Sequence, residues 1–332
     1  MSGDIIQEVK SQLLKIKKIY GVENIVLSQR DGSPIESAGV WLSKNEVFGV
    51  CSSTAAIYNV AEHLHKKALN YILIDGIHAK ILVAPLRNSD NSINSNQLSL
   101  NSKNNFSSNP EYFIAITTRP KTNLGSIFIG MKNTLNSIRE ILENSELDFK
   151  PPLRTFSSKE VEAILNSFSI KEDDNDVNSN INTFSLKITV DLSSKIRDLV
   201  FDYSKNVPGV KLACITLIGG YPLCKFTIDP LIEEAEGAMS FSLFDTSKRI
   251  IFMLKKTKIN SVLCECSNYS HFIYDLNRGI FSTFISKGDK RLGLLRLLIP
   301  QYVKTINEHL KEADKTPEEL FNLNQIFEEL NI

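Results

Sequence analysis

GVENIVLSQRDGSP, residues 21–34, and GVKLACITLIGGYP, residues 209–222, share their punctuation at one fixed interval. Gly21-Val22 recurs as Gly209-Val210, Asp31-Gly32 as Gly219-Gly220, Pro34 as Pro222 and Gly49 as Gly237, each pair 188 residues apart. A constant displacement over this many landmarks marks an internal duplication. Farther on, Leu124-Gly125 corresponds to Leu292-Gly293 at an interval of 168, and the shortfall is close to the length of the Asn/Ser-rich segment 88–109, which the first copy alone contains.

Within each copy the hydrophobic period changes in the same order. Residues 4–20 place Ile5, Ile6, Val9, Leu13, Ile16 and Tyr20 on one helical face, with Lys10, Lys15 and Lys18 turned away. Gly21 ends that helix. Strands over 24–30 and 34–37 flank Asp31-Gly32, a hairpin signal because both turn positions tolerate positive φ. A second helix over 43–67 is rich in small side chains between Gly49 and Ala56. Strands follow at Leu69–Asp75, at Ile77–Leu86 after a turn at Asp75-Gly76, and at Tyr112–Thr118. A helix over 124–144 closes the unit. The second copy reads helix 191–205, strands near 211–218 and 222–227, helix 231–256, strands near 259–266, 271–277 and 279–286, and helix 290–311. Both copies therefore read αββαβββα.

The expected domains are 1–145, carrying a disordered insert at 88–109, and 191–313. Residues 146–190 form a linker by composition, with a short helix suggested by Ser157 and Glu160 as a capping box. In the tail, 314–332, Thr316-Pro317-Glu318-Glu319 opens an amphipathic helix bearing Leu320, Leu323, Phe327 and Leu330.

The composition narrows the function classes. The chain has 332 residues and 42 % hydrophobic content, enough for each copy to bury a core, and 38 basic residues balance 38 acidic ones. No overall field attracts nucleic acid or an anionic membrane. The charged N-terminus and the lack of a long apolar run predict a cytoplasmic protein without a transmembrane segment. Five irregularly spaced cysteines predict free thiols in a reducing compartment. No G-x-x-x-x-G-K-[ST] segment is present to cradle phosphates. Gly288-Asp289-Lys290-Arg291 offers only basic residues at a helix start, and Lys255, Lys256 and Lys258 are expected to form a solvated helix end. No nucleophile–base constellation can be assembled, so no catalytic residue and no enzyme activity is expected.

The ordered set of Gly-Val entry, D-G-x-P-type hairpin and Leu-Gly opening of the last helix resembles the Roadblock/dynein light chain family. The residues carrying it are Gly21, Val22, Asp31, Gly32, Pro34, Leu124 and Gly125, then Gly209, Val210, Gly219, Gly220, Pro222, Leu292 and Gly293. The resemblance implies an α+β protein of two profilin-like domains. Each would be a five-stranded antiparallel sheet with helices on both faces, the first and third on one side and the second on the other. It further implies pairing through the third strands and second helices, within one chain or between two, covering an edge that would otherwise aggregate. The interface residues implied are Ser52, Ala55, Asn59, Glu62, Tyr71 and Leu73, with Ser240, Phe244, Lys248, Val262 and Cys264 as counterparts. Asp245, Lys248 and Arg249 interrupt the apolar stripe of the second copy, so the two helix surfaces are not equivalent.

By the same resemblance the chain is a non-enzymatic adaptor that binds or regulates a small Ras-like GTPase. Alternatives are an assembly scaffold for Roadblock-like, cytoskeletal or motor proteins, or a small-ligand sensor. No cofactor is expected. Cys264-x-Cys266 and His63-x-His65 are compact pairs of ligand-type residues, but zinc needs four ligands, or three and a water. The family strand order puts Cys214 and Cys224 on the other side of the sheet from Cys264, so no metal site is expected. His63 and His65 point in different directions and are expected to make a polar helix end with Lys66 and Lys67.

Overall fold

The computed structural model describes residues 2–39, 43–65, 68–86, 112–144, 188–228, 235–255, 258–287 and 292–313. The insert, the linker with its expected helix, the Gly288–Arg291 start and the C-terminal helix lie outside the described residues.

The first half runs α1 (Ser2–Lys17), β1 (Val22–Gln29), β2 (Pro34–Gly39), α2 (Lys44–His65), β3 (Leu69–Gly76), β4 (Lys80–Leu86), β5 (Tyr112–Thr118) and α3 (Leu124–Asn144). The second half repeats the order as α4 (Val190–Asn206), β6 (Val210–Leu217), β7 (Pro222–Thr227), α5 (Ala235–Lys255), β8 (Ile259–Cys266), β9 (Tyr269–Asp275), β10 (Gly279–Ser286) and α6 (Leu292–Ala313).

Local chemistry explains the boundaries. Val9, Leu13 and Ile16 bury one face of α1 at helical spacing. Tyr20, expected on that face, is 84 % exposed because the helix ends at Lys17 and Gly21 turns the chain at φ +88°. The start of α2 is a reciprocal cap: Ser43 N donates to Glu46 Oε2 at 2.7 Å, and Glu46 N donates to Ser43 Oγ at 3.3 Å. Thr189 caps α4 by accepting from Leu192 N at 3.2 Å.

The two hairpin turns repeat bond for bond. Gln29 N donates to Ser33 O and Gly32 N to Gln29 O; in the second half Leu217 N donates to Tyr221 O and Gly220 N to Leu217 O. Both turns are one residue longer than the expected strand bounds allow, since the first strands end at Gln29 and Leu217 and the second begin at Pro34 and Pro222. Only Gly32 has positive φ in the first turn, whereas Gly219 and Gly220 both do in the second. The β3–β4 turn falls at residues 77–79 rather than at Asp75-Gly76, because both of those residues continue the ladder of β3.

Ten strands form one antiparallel sheet in the order β2-β1-β5-β4-β3-β8-β9-β10-β6-β7. The halves meet where β3 pairs β8, with Ile72 opposite Cys264, Leu73 opposite Leu263 and Ile74 opposite Val262. Alternation along these strands divides the interior into layers. On one face, Ile72, Ile74, Val262 and Cys264 join residues of α2 and α5 in a single core drawn from both halves. On the other, α1 and α3 cover the first half, while α4 and α6 cover the second, each pair over a core of its own. Burial at the centre of the molecule is therefore communal.

Candidate functional site

Two helices from different copies lie side by side over the β3–β8 seam: α2, capped by Ser43, and α5. Lys44 and Glu46 are exposed in the first turn of α2, and farther along the helix Ser52, Ser53 and Asn59 are half-buried while Ala56 and His63 are exposed. Along α5 the outward positions include exposed Lys248 and Arg249, the latter paired with Asp245 at 3.0 Å. Past the first turn of α2, the charges on the outer surface of the helix pair lie on the α5 side.

The remaining interface residues implied by the resemblance do not share one surface. Ala55, Ser240 and Phe244 are buried beneath the helices. Val262 and Cys264 are fully buried in the common core, on the α2/α5 side of the sheet. Tyr71 and Leu73 point the opposite way and pack with the α1/α3 core, where the Tyr71 ring meets Phe128 at 4.7 Å. Glu62 is 8 % exposed and accepts from Arg30 Nη2 at 2.7 Å, an internal ion pair between α2 and the β1–β2 turn.

Beneath the helices the seam holds a group of polar side chains. His65, the last residue of α2, is 2 % exposed and is not the polar helix end expected of it. Helical rotation separates it from His63, which is exposed and engages Asn59 O at 2.8 Å. His65 Nε2 stands 3.3 Å from Nδ1 of the fully buried His271 in β9. The outer nitrogens of the two rings also have partners: His65 Nδ1 lies 3.1 Å from the Tyr269 hydroxyl, and His271 Nε2 lies 3.4 Å from Ser240 Oγ. Phe284 stacks on the His271 ring at 4.1 Å and 10°.

Cys264 completes the group, since it faces His271 across the β8–β9 ladder and one ligand-type atom from each of His65, Cys264 and His271 lies within 4.8 Å of the others. Burial dominates the electrostatics. It lowers His65 to about 3, pushes His271 well below its ordinary value with His65 adding to the effect, and raises the Cys264 thiol well above its own. At neutral pH both imidazoles and the thiol are uncharged. The nucleophile is thus held in its unreactive form and the site is closed from solvent, which suits binding or packing rather than covalent chemistry.

One of the other thiols is placed differently from expectation. Cys214 shares the α2/α5 face with Cys264, while Cys224 packs with the α4/α6 core. Cys224 pairs with Ile215, one residue beyond Cys214, so the two thiols point to opposite sides of the sheet.

Sequence reading missed His271 and the role of His65. The Cys264–His271 relation depends on the register of the β8–β9 hairpin, and the His65 relation on two residues 206 positions apart meeting at the seam. Neither leaves a short spacing signature.

No protein-family model matches the chain, and no curated protein matches it. Among solved structures, the chain is similar to a Roadblock/LC7 domain from Streptomyces avermitilis at 10 % identity and a TM-score of 0.31, over 39 % of this chain and 92 % of that one. It is similar to the gliding protein MglB from Thermus thermophilus at 12 % identity and a TM-score of 0.33, over 42 % of this chain and 93 % of that one. Similarity to Myxococcus xanthus MglB is 14 % identity and a TM-score of 0.32, over 44 % and 95 %. Among the described residues, no helix is long and apolar enough to cross a membrane.

Proposed function

We propose that this chain is a non-enzymatic cytoplasmic adaptor whose two Roadblock-like domains, 1–145 and 191–313, pair within the molecule and bind a small Ras-like GTPase. The observation carrying the reading is the position of α2 and α5, side by side over a sheet continuous through the β3–β8 seam. Pairing inside one chain fixes both helices at high effective concentration, so a partner meets a preformed two-helix surface. That surface includes Ser52, Asn59 and Lys248 of the residues named by the resemblance, together with Ala56 and Arg249. Lys248 and Arg249 on the α5 side favour one orientation of a partner, since charge placement contributes orientation more than affinity. The adaptor positions the GTPase and contributes no catalytic side chain of its own.

The test is binding of the purified chain to small Ras-like GTPases from its source, loaded with GDP or a GTP analogue. Saturable binding in one nucleotide state, weakened at least tenfold by Ala56→Arg at unchanged melting temperature, supports the reading. Absence of binding and of any change in GTP turnover removes it. A second reading, assembly scaffolding, is favoured by the edge strand β7, flanked by Tyr221 at 72 % and Ile228 at 63 % exposure. Such an edge can accept an added strand from another chain.

A further inference from the structure

We propose that His65, Cys264 and His271 bind one Cu(I) ion in a three-coordinate set of two nitrogens and one sulfur at the seam between the halves. The inference rests on the buried cluster and is independent of which partner the outer surface takes.

The spacing of the two imidazoles fits a shared ion. Imidazole nitrogens each about 2.0–2.1 Å from one ion stand roughly 3.3–3.6 Å apart at tetrahedral or trigonal angles. His65 Nε2 and His271 Nδ1 are 3.3 Å apart, with a Cys264 ligand atom within the same 4.8 Å group. For a hydrogen bond between two neutral rings the same distance is long.

The outer contacts are those of ligating histidines. Metal-bound imidazoles characteristically use their second nitrogen on an oxygen that fixes ring orientation. Here the Tyr269 hydroxyl serves His65 and Ser240 Oγ serves His271, leaving one nitrogen of each ring aimed inward. Phe284, stacked on His271, holds the ring plane.

The fold does not require polar groups at this place. Cys264 opposite His271 in the β8–β9 ladder corresponds to Ile74 opposite Ile81 in the β3–β4 ladder. Both isoleucines are buried at 1 % exposure or less in the same core. Plain apolar packing fills the equivalent position of the duplicate, whereas the second half places a thiol and a histidine there and recruits His65 from the first.

Charge selects the ion. Thiolate and imidazole suit soft metals such as Cu(I) as well as zinc. On binding Cu(I), Cys264 loses its thiol proton to solvent, and the monovalent cation, one thiolate and two neutral imidazoles sum to zero. Zinc would leave a net positive charge unpaired in an apolar core, which is strongly unfavourable. A three-coordinate ion also needs no fourth ligand from solvent.

The test uses the full chain, kept anaerobic and titrated with Cu(I) against a chromophoric Cu(I) chelator, both native and after refolding in the presence of the ion. Zn2+ is titrated in parallel. The expected result is one tightly held Cu(I) per chain, with X-ray absorption reporting two nitrogen neighbours and one sulfur. Cys264→Val, which keeps an apolar side chain in the core but removes the sulfur, should weaken retention at least about 100-fold, beyond the 10–100-fold typical of losing an outer-shell partner. Cys224→Ser should leave it unchanged. Copper held equally by Cys264→Val, an all-sulfur environment, or preference for Zn2+ at this site each overturns the proposal. Should Cys264→Val fail to fold by circular dichroism, the wild-type absorption spectrum decides alone: two nitrogens and one sulfur sustain the site, and any other set, or no retained copper, overturns it.

Discussion

His65 and His271 come from opposite halves of the chain, yet their facing ring nitrogens, Nε2 and Nδ1, stand 3.3 Å apart over the common core. Because burial holds His65 at about 3 and His271 lower than its ordinary value, the metal-free folded protein keeps both neutral where the unfolded chain protonates them. Below the unfolded value of about 6.5 the unfolded state binds more protons, so stability falls as pH falls, down to about 3. The slope is roughly 1.4 kcal/mol per pH unit for each histidine. The titratable groups around the pair are Tyr269, Cys264, Cys266 and Glu236. Burial raises Tyr269 and Cys264, which keep their protons throughout this range. Urea denaturation at pH 7.5, 6 and 5 should show the decline in metal-free protein. It should persist in Glu236→Gln and flatten in the double variant His65→Asn, His271→Asn; an unchanged slope in that double variant would contradict the assignment.

Glu62 is committed to Arg30, and this bears on how the α2 surface can be tested. The carboxylate is buried, its bond to Arg30 Nη2 is 2.7 Å, and Arg30 belongs to the turn between β1 and β2. Glu62→Ala leaves a guanidinium without its counter-charge in a place it reaches only partly from solvent, and should cost roughly 1–3 kcal/mol in chemical denaturation. Glu62→Gln, which keeps an acceptor, should cost less. A Glu62→Ala variant with undiminished stability but no partner binding would instead return Glu62 to the outer surface.

The antiparallel αββαβββα order was legible because every signal it needs is local. Gly21 and Gly209 turn the chain at positive φ into the first strand of each half, the D-G-x-P and G-G-x-P turns fix the hairpins, and hydrophobic periods separate helix from strand. The insides of the seam were not legible. Alternation shows that Tyr71 and Leu73 share one side and Ile72 and Ile74 the other, but which side meets α2 is decided by packing. His65 illustrates the limit most directly: its neighbours Lys66 and Lys67 in sequence indicate solvent, while its burial is set by β8 and β9 of the other copy. Chemistry built between two distant halves of a chain has no sequence spacing to reveal it.

The paired turns offer a measurement of how far the two halves differ mechanically. Gly32 and Gly220 occupy equivalent places, with φ of +88° and +85°. An alanine at either carries the left-handed backbone cost of about 1–2 kcal/mol. At Gly32 the added Cβ would also lie 2.8 Å from Ser52 Cα, the backbone of α2, which a side-chain rotation cannot relieve. At Gly220 its nearest neighbour would be Ala238 Cβ at 3.5 Å, an ordinary contact. Gly32→Ala should therefore be the more destabilising by at least about 1 kcal/mol, because α2 must move away from the turn and carry the Arg30–Glu62 pair with it. Equal melting temperatures for the two variants would mean that α2 is not braced by this turn; a larger loss at Gly220 would reverse the ranking of the two contacts.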